Sequence, residues 1–160
     1  MSVQFVPAAV GLIVENNNVL MIKREKEPFA NLWSIPGGKI ERDEYVSSAV
    51  TREIGEEVGI ACNIEKYLGT ISELVFNESG LDRHHIIHVF HLTIKDGIPK
   101  DGARWYRIET ISQEKDITPS DVAIIEELLV NRKHQYINCS LRLEKGKYIL
   151  ESFSSPCEAQ

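Results

Sequence analysis

Apolar and polar positions along the chain alternate with two different periods. Ala8 to Glu15 is a β-branched and apolar run, broken at Asn16-Asn17-Asn18 and resumed by Val19 to Ile22. Asn tolerates left-handed backbone, so this pattern predicts a hairpin turning at the three Asn. Glu25 to Ala30 reads as a loop, Asn31 to Ile35 as a short strand stopped by Pro36-Gly37-Gly38, and Lys39 to Asp43 as further loop. From Glu44 the period changes. Val46, Val50, Ile54 and Val58 recur every four residues, which predicts a helix over Glu44 to Val58 with one apolar stripe. Asp43 is the expected N-cap, and Gly59 the left-handed residue that ends the helix. Gly55 costs that helix about 1 kcal/mol relative to Ala.

Strand periodicity returns over Ile64 to Ser72, Glu73 to Phe76, Arg83 to Ile94 and Arg104 to Ile108, with a turn at Asn77-Glu78-Ser79-Gly80. Thr118-Pro119-Ser120 opens a second predicted helix, Asp121 to Val130. Leu141 to Leu143 and Tyr148 to Phe153 flank Glu144-Lys145-Gly146-Lys147 as a late hairpin. Strands mixed with two helices predict an α/β domain, a mixed sheet covered by helices. Without repeats or low-complexity stretches, the expectation is one domain, 1–137, extended by its own C-terminal hairpin, 138–160. That hairpin either adds to the sheet or pairs with another chain.

Composition narrows the function. A chain of 160 residues suits a single domain. With 18 Lys plus Arg against 24 Asp plus Glu, the net charge is -6, which argues against nucleic-acid and anionic-membrane surfaces as partners. A small anionic substrate stays open if a metal ion reverses the sign locally. No apolar run approaches the ~18 residues of a membrane span, and the first residues lack the pattern of a signal peptide. Cys62, Cys139 and Cys157 are scattered without metal-like spacing. They read as free thiols, and the expected location is the cytoplasm.

The first predicted helix carries the chemistry. Glu53, Glu56 and Glu57 are spaced i, i+3 and i+4, so they share one side of the helix, beside the apolar stripe. Three like charges there weaken a helix unless a cation shares them, and hard oxygen ligands suit Mg²⁺ or Mn²⁺. A solvated acidic face is the plainer alternative, and the wider spacing argues against it. Gly38 is followed after five residues by Glu44, and after seven more by Arg52-Glu53-Ile54-Gly55-Glu56-Glu57-Val58-Gly59-Ile60. This resembles the Nudix box, G-x5-E-x7-R-E-U-x-E-E-x-G-U, at every defined position. At ordinary residue frequencies a chance match is on the order of one in ten million.

The resemblance implies an α/β/α sandwich whose catalytic loop–helix–loop is Gly38 to Ile60, and hydrolysis of diphosphate linkages in nucleoside diphosphate derivatives. It implies Glu53, Glu56 and Glu57 as ligands of the divalent metal, with the carbonyl of Gly37 or Gly38 completing the set. Glu44 and Arg52 would brace the loop and orient those ligands, with Gly59 ending the helix in support. Arg52 counts with Glu53 and Glu56 among the candidate catalytic residues, and either Glu is a candidate proton acceptor. Asp101, Glu109 and Glu78 are candidate bases outside the box. Arg24 matches a position that often contacts substrate phosphate, with Gly38 beside it.

Outside the box, Leu32 to Gly38, His84 to Phe90 and Ala103-Arg104-Trp105 resemble the ADP-ribose pyrophosphatase branch. Cleavage of ADP-ribose to AMP and ribose 5-phosphate is therefore the expected reaction. Pyrophosphate release from a nucleoside triphosphate is the runner-up, and a non-catalytic nucleotide sensor the alternative of another class. His84 and His88 fall on one strand face, His85 and His91 on the other, so no single His cluster is expected. Trp33 is expected in the core rather than as a stacking platform. Many members of the family are dimers, so a homodimer is compatible with the resemblance.

Overall fold

The computed structural model describes residues 2–157, so Met1 and the last three residues of the expected extension, 158–160, lie outside it. β1 (Gln4–Glu15) and β2 (Asn18–Lys23) form the predicted hairpin, with Glu15 opposite Asn18. Asn16 and Asn17 have φ of 51° and 60°, the two left-handed residues that a tight hairpin turn of this hand requires. Asn18 therefore opens β2 rather than belonging to the turn.

β3 (Trp33–Ser34) pairs with β2, as expected of a short strand. Gly37 to Lys39, read from sequence as loop, is instead a strand, β4 (Gly37–Lys39), antiparallel to β1 at Ala8 to Val10. The reason is local: β1 pairs with β2 only near its C-terminal end, leaving backbone groups along its earlier half that need partners.

β5 (Ala61–Asn77) and β6 (Gly80–Asp96) merge the later predicted segments into one long antiparallel pair around the expected turn. β6 also runs parallel to β1, from Gln4 opposite Arg83 to Ile13 opposite Leu92. β7 (Ala103–Arg107) pairs with β2. The late hairpin, β8 (Tyr136–Glu144) and β9 (Lys147–Ser154), joins the sheet through a parallel β5–β8 pair. The mixed sheet runs β3-β2-β1-β6-β5-β8-β9, with β4 on β1 and β7 on β2.

α1 (Val46–Val58) buries Ala49, Val50, Ile54 and Val58 on one sheet face, against Ala9, Ile13, Phe90 and Leu92. α2 (Pro119–Ile124) passes into a π-helical segment, Ile125–Asn131, so the second predicted helix is real but changes its winding midway. Its Ile124, Ile125 and Leu128 cover the opposite face with Leu12, Ile71, Val89 and Ile137. The architecture is an α/β/α sandwich. Among the described residues no helix is long and apolar enough to cross a membrane.

The expected cap of α1 differs. The N-cap is Tyr45, without a side-chain bond, while Asp43 sits in a turn at φ 64°. Glu44 instead accepts the Glu41 amide at 3.0 Å and turns its carboxylate toward Arg52.

Candidate functional site

α1 lies against β4, which places the Gly37-Gly38 backbone beside the carboxylates of the helix. An added Cβ at Gly38 would stand 2.5 Å from the Glu53 carboxylate carbon. The acid packs directly onto this backbone, so an added methyl group would push the Glu53 carboxylate aside. Gly59 ends the helix at φ 77°, its amide bonded to the Gly55 carbonyl, as the sequence predicts.

Arg52 organises this surface. Its Nε and Nη2 donate to the two oxygens of Glu44, and Nη2 also reaches the Lys39 carbonyl at 3.1 Å. Nη1 donates to Glu53 at 3.0 Å and to Glu56 at 3.3 Å. The guanidinium thus ties the loop before the helix to two of the three acids. This partner holds the Glu44 carboxyl below the usual carboxylate range, first through the direct bond. Arg52 is in turn raised, first by its bond to Glu44.

Glu57 is the acid turned furthest inward. Burial pushes its carboxyl up to about 7, helped by the neighbouring Glu53 charge and opposed by the Gly37 backbone and Arg24. The structure therefore brings Glu53 and Glu57 together at Gly37-Gly38, while Glu56 points outward with its side chain 62% exposed. Among the described residues no three His, Cys, Asp or Glu side chains converge on one point as a preset metal cage. The donor chemistry nonetheless fits a hard divalent cation. Glu53 and Glu57 crowd beside backbone, and burial together with the Glu53 charge opposes ionisation of Glu57, a pairing that a shared cation would relieve.

Two clefts open from this point. The first is lined by Val6, Val10, Ile35, Ile87, Glu73 and Asp121, and reaches Gly37, Gly38 and Arg24. The second is lined by Lys23, Lys26, Glu57, Lys100 and Asp101, and also reaches Gly37 and Arg24. Arg24 stands where they meet, its Nε donating to the Pro28 carbonyl at 2.7 Å. Of the outside acids, Asp101 lies in the second cleft. Glu109 sits in the 3-10 turn Ile108–Gln113, and Glu78 in the β5–β6 turn; neither lines either cleft.

The histidines divide as alternation predicts. His84 bonds Ser72, and His88 bonds Tyr67 and Thr70, while His85 bonds Glu73 in the first cleft. Trp33 packs at the edge of the core beside Tyr106, as expected.

Sequence reasoning passed over Glu73, Asp121 and Lys100. Lys100 lies along Gly59 and donates from Nζ to the Glu56 carbonyl at 3.1 Å, a cation at the negative end of α1. Asp121, half-buried, accepts the Ile35 amide at 2.9 Å, and desolvation pushes its carboxyl up to about 7. Glu73 left a signal in the sequence, since it occupies the apolar phase of Ile71-Glu73-Val75.

Comparison with known proteins agrees with this geometry. The model of the NUDIX domain matches residues 6–128. An ADP-ribose pyrophosphatase of Methanocaldococcus jannaschii is 38% identical over 95 residues, 59% of this chain and 54% of that protein. The chain thus spans about half the length of that relative. An 8-oxo-dGTP diphosphatase of Escherichia coli is 31% identical over 126 residues, 75% of this chain and 93% of that one. A crystal structure of a MutT protein from Bacillus halodurans superposes with TM-score 0.73 at 20% identity, covering 93% of this chain and 96% of that one. That likeness speaks to the fold.

Proposed function

The chain belongs to the Nudix family, and on that footing we propose that it hydrolyses a diphosphate linkage in a nucleoside diphosphate derivative. The substrate is ADP-ribose, cleaved to AMP and ribose 5-phosphate. The observation that carries this reading is the meeting of two clefts at Arg24 and Gly37, beside Glu53 and Glu57. A diphosphate with a group at each end fills both. The first cleft, walled by Val6, Val10, Ile35 and Ile87, suits a nucleoside, and the second, with Lys23, Lys26 and Lys100, suits a phosphorylated sugar. Resemblance to a protein named ADP-ribose pyrophosphatase supports the same choice.

Glu53, Glu56, Glu57 and the Gly37 carbonyl would hold Mg²⁺ or Mn²⁺. A metal bound there lowers the pKa of a water, polarises the attacked phosphoryl group and stabilises the leaving oxygen. The chain does the rest. Arg24 binds the diphosphate where the clefts join, and Gly38 lets the phosphates approach the backbone. Arg52 orients the carboxylates, and Glu53 or Glu56 takes the proton of the attacking water.

Pyrophosphate release from a nucleoside triphosphate is a second reading, favoured by resemblance to the 8-oxo-dGTP diphosphatase. Incubation with Mg²⁺ and each substrate, with products separated by chromatography, decides between them. AMP and ribose 5-phosphate from ADP-ribose support the first reading. Pyrophosphate from a triphosphate, with ADP-ribose untouched, overturns it. The same proposal places the protein in the cytoplasm, acting on a small molecule. Light scattering tests whether it works as a monomer or a homodimer.

A further inference from the structure

Glu73 is 2% exposed in the middle of β5, and no step above uses it. Its register partner on β6 is His85, whose Nδ1 lies 2.8 Å from Glu73 Oε1. The two side chains stand side by side on the floor of the first cleft, and Asp121 lines the same cleft. Their neighbours on this sheet face, Ile71, Val75 and Ile87, are apolar. A carboxylate in such a layer is costly to desolvate, and one His bond compensates only part of that. An apolar side chain of similar volume packs as well or better. Packing therefore does not account for Glu73.

We propose that Glu73 and His85, backed by Asp121, read the nucleobase and select bases bearing an exocyclic amine over their keto counterparts. This rests on the reading that the first cleft takes the nucleoside half. With Nδ1–H donating to Glu73 Oε1, His85 presents Nε2 as an acceptor, and Glu73 Oε2 is an acceptor as well. These two acceptors, beside the donors Arg24, Lys39 and Arg83 of the same cleft, are satisfied by the N–H groups of an exocyclic amine. A keto oxygen in the same place sets lone pair against lone pair and leaves buried groups without partners, the form of mismatch a site rejects most strongly.

Calorimetric titration of the full chain tests this with ADP against IDP and CDP against UDP, each pair differing by one amine-to-keto exchange. Ca²⁺ replaces Mg²⁺ so that binding is read without turnover. The amino member of each pair binds roughly tenfold tighter or more, and Glu73→Gln brings both ratios within about threefold of unity. A cooperative thermal melt checks that the variant is folded. If it is not, His85→Gln carries the test, with the same loss of preference expected. Equal affinity within both pairs in the parent protein overturns the base-reading proposal and leaves the cleft assignment standing. So does an unchanged preference in the folded variants. No binding of any of the four removes the cleft assignment itself, and the proposal with it.

Discussion

Arg52 holds Glu44 with two parallel bonds, Nε to Oε2 at 2.6 Å and Nη2 to Oε1 at 3.0 Å, across eight residues of sequence. That fork joins the loop leaving β4 to the middle of α1, and Nη1 of the same guanidinium is left to steer Glu53 and Glu56. A lysine offers a point charge and cannot grip both ends at once. Arg52→Lys and Glu44→Gln are each expected to lower turnover about 10–100-fold, the usual effect of removing a group that orients metal ligands. Because the two residues act as one unit, the double variant falls little further than either single one. Steady-state kinetics at saturating Mg²⁺ checks both statements; additive losses would contradict the shared role.

Glu57→Gln keeps the shape of the innermost acid and removes its charge. Its loss should reach at least the upper end of the roughly 100-fold effect of outer groups, with a higher Mg²⁺ requirement and an unchanged far-UV circular dichroism spectrum. A parent protein that binds nucleotide yet turns over no diphosphate, with or without this substitution, would instead mark the chain as a sensor.

The raised Glu57 carboxyl also predicts a pH dependence without metal. A carboxyl at about 7 in the folded state and 4.5 as its ordinary value holds more protons when folded. Its contribution is therefore present below pH 4.5 and is lost as pH rises through 7, amounting to about 2 kcal/mol after allowance for partial exposure. His88 and His91, lowered by burial, act in the opposite sense near pH 6.5. Comparison of metal-free melting curves of the parent and Glu57→Gln from pH 5 to 8 isolates the effect. The parent loses stability relative to the variant as pH rises, and added Mg²⁺ reverses that loss most strongly at pH 8. Parallel curves would contradict the assignment.

Truncation after residue 137 removes most of β8 and all of β9. Cys139 and Leu141 are buried in the main core, and Tyr148, Leu150 and Phe153 pack against it. At about 1.5–3 kcal/mol for each large apolar side chain, the loss approaches the whole stability of a domain. The shortened chain should show no cooperative melt. A truncated protein melting within a few degrees of the parent would show the hairpin to be an appendage.

The sequence made the hydrolytic helix legible because its carboxylates, its apolar stripe and its terminating Gly59 obey one short-range period. The Asn16-Asn17 turn was legible for a similar reason. What lay beyond reach depends on distant partners. Gly37 to Lys39 has too few side chains to look like a strand and becomes one because β1 lies beside it. Asp43 fits a cap by composition, but the Glu44–Arg52 fork sets the entry to the helix. The late hairpin is plain in sequence, whereas its parallel seat on β5 is a long-range choice. Among the candidate site residues, Glu53 and Glu57 are marked by their spacing, and Arg24 by its resemblance to a family position. Glu73 meets Asp121 only through the packing of α2 across the sheet.

β1 serves two neighbours through alternate side chains. Val6, Ala8 and Val10 look into the first cleft, while Ala9 and Ile13 pack under α1. Because successive residues point to opposite faces, the surface that lines the first cleft and the surface that seats α1 are interleaved along one strand without sharing a residue. A substitution on one parity can reshape what enters while leaving the other parity untouched. Such a scaffold lets substrate preference drift under a fixed reaction.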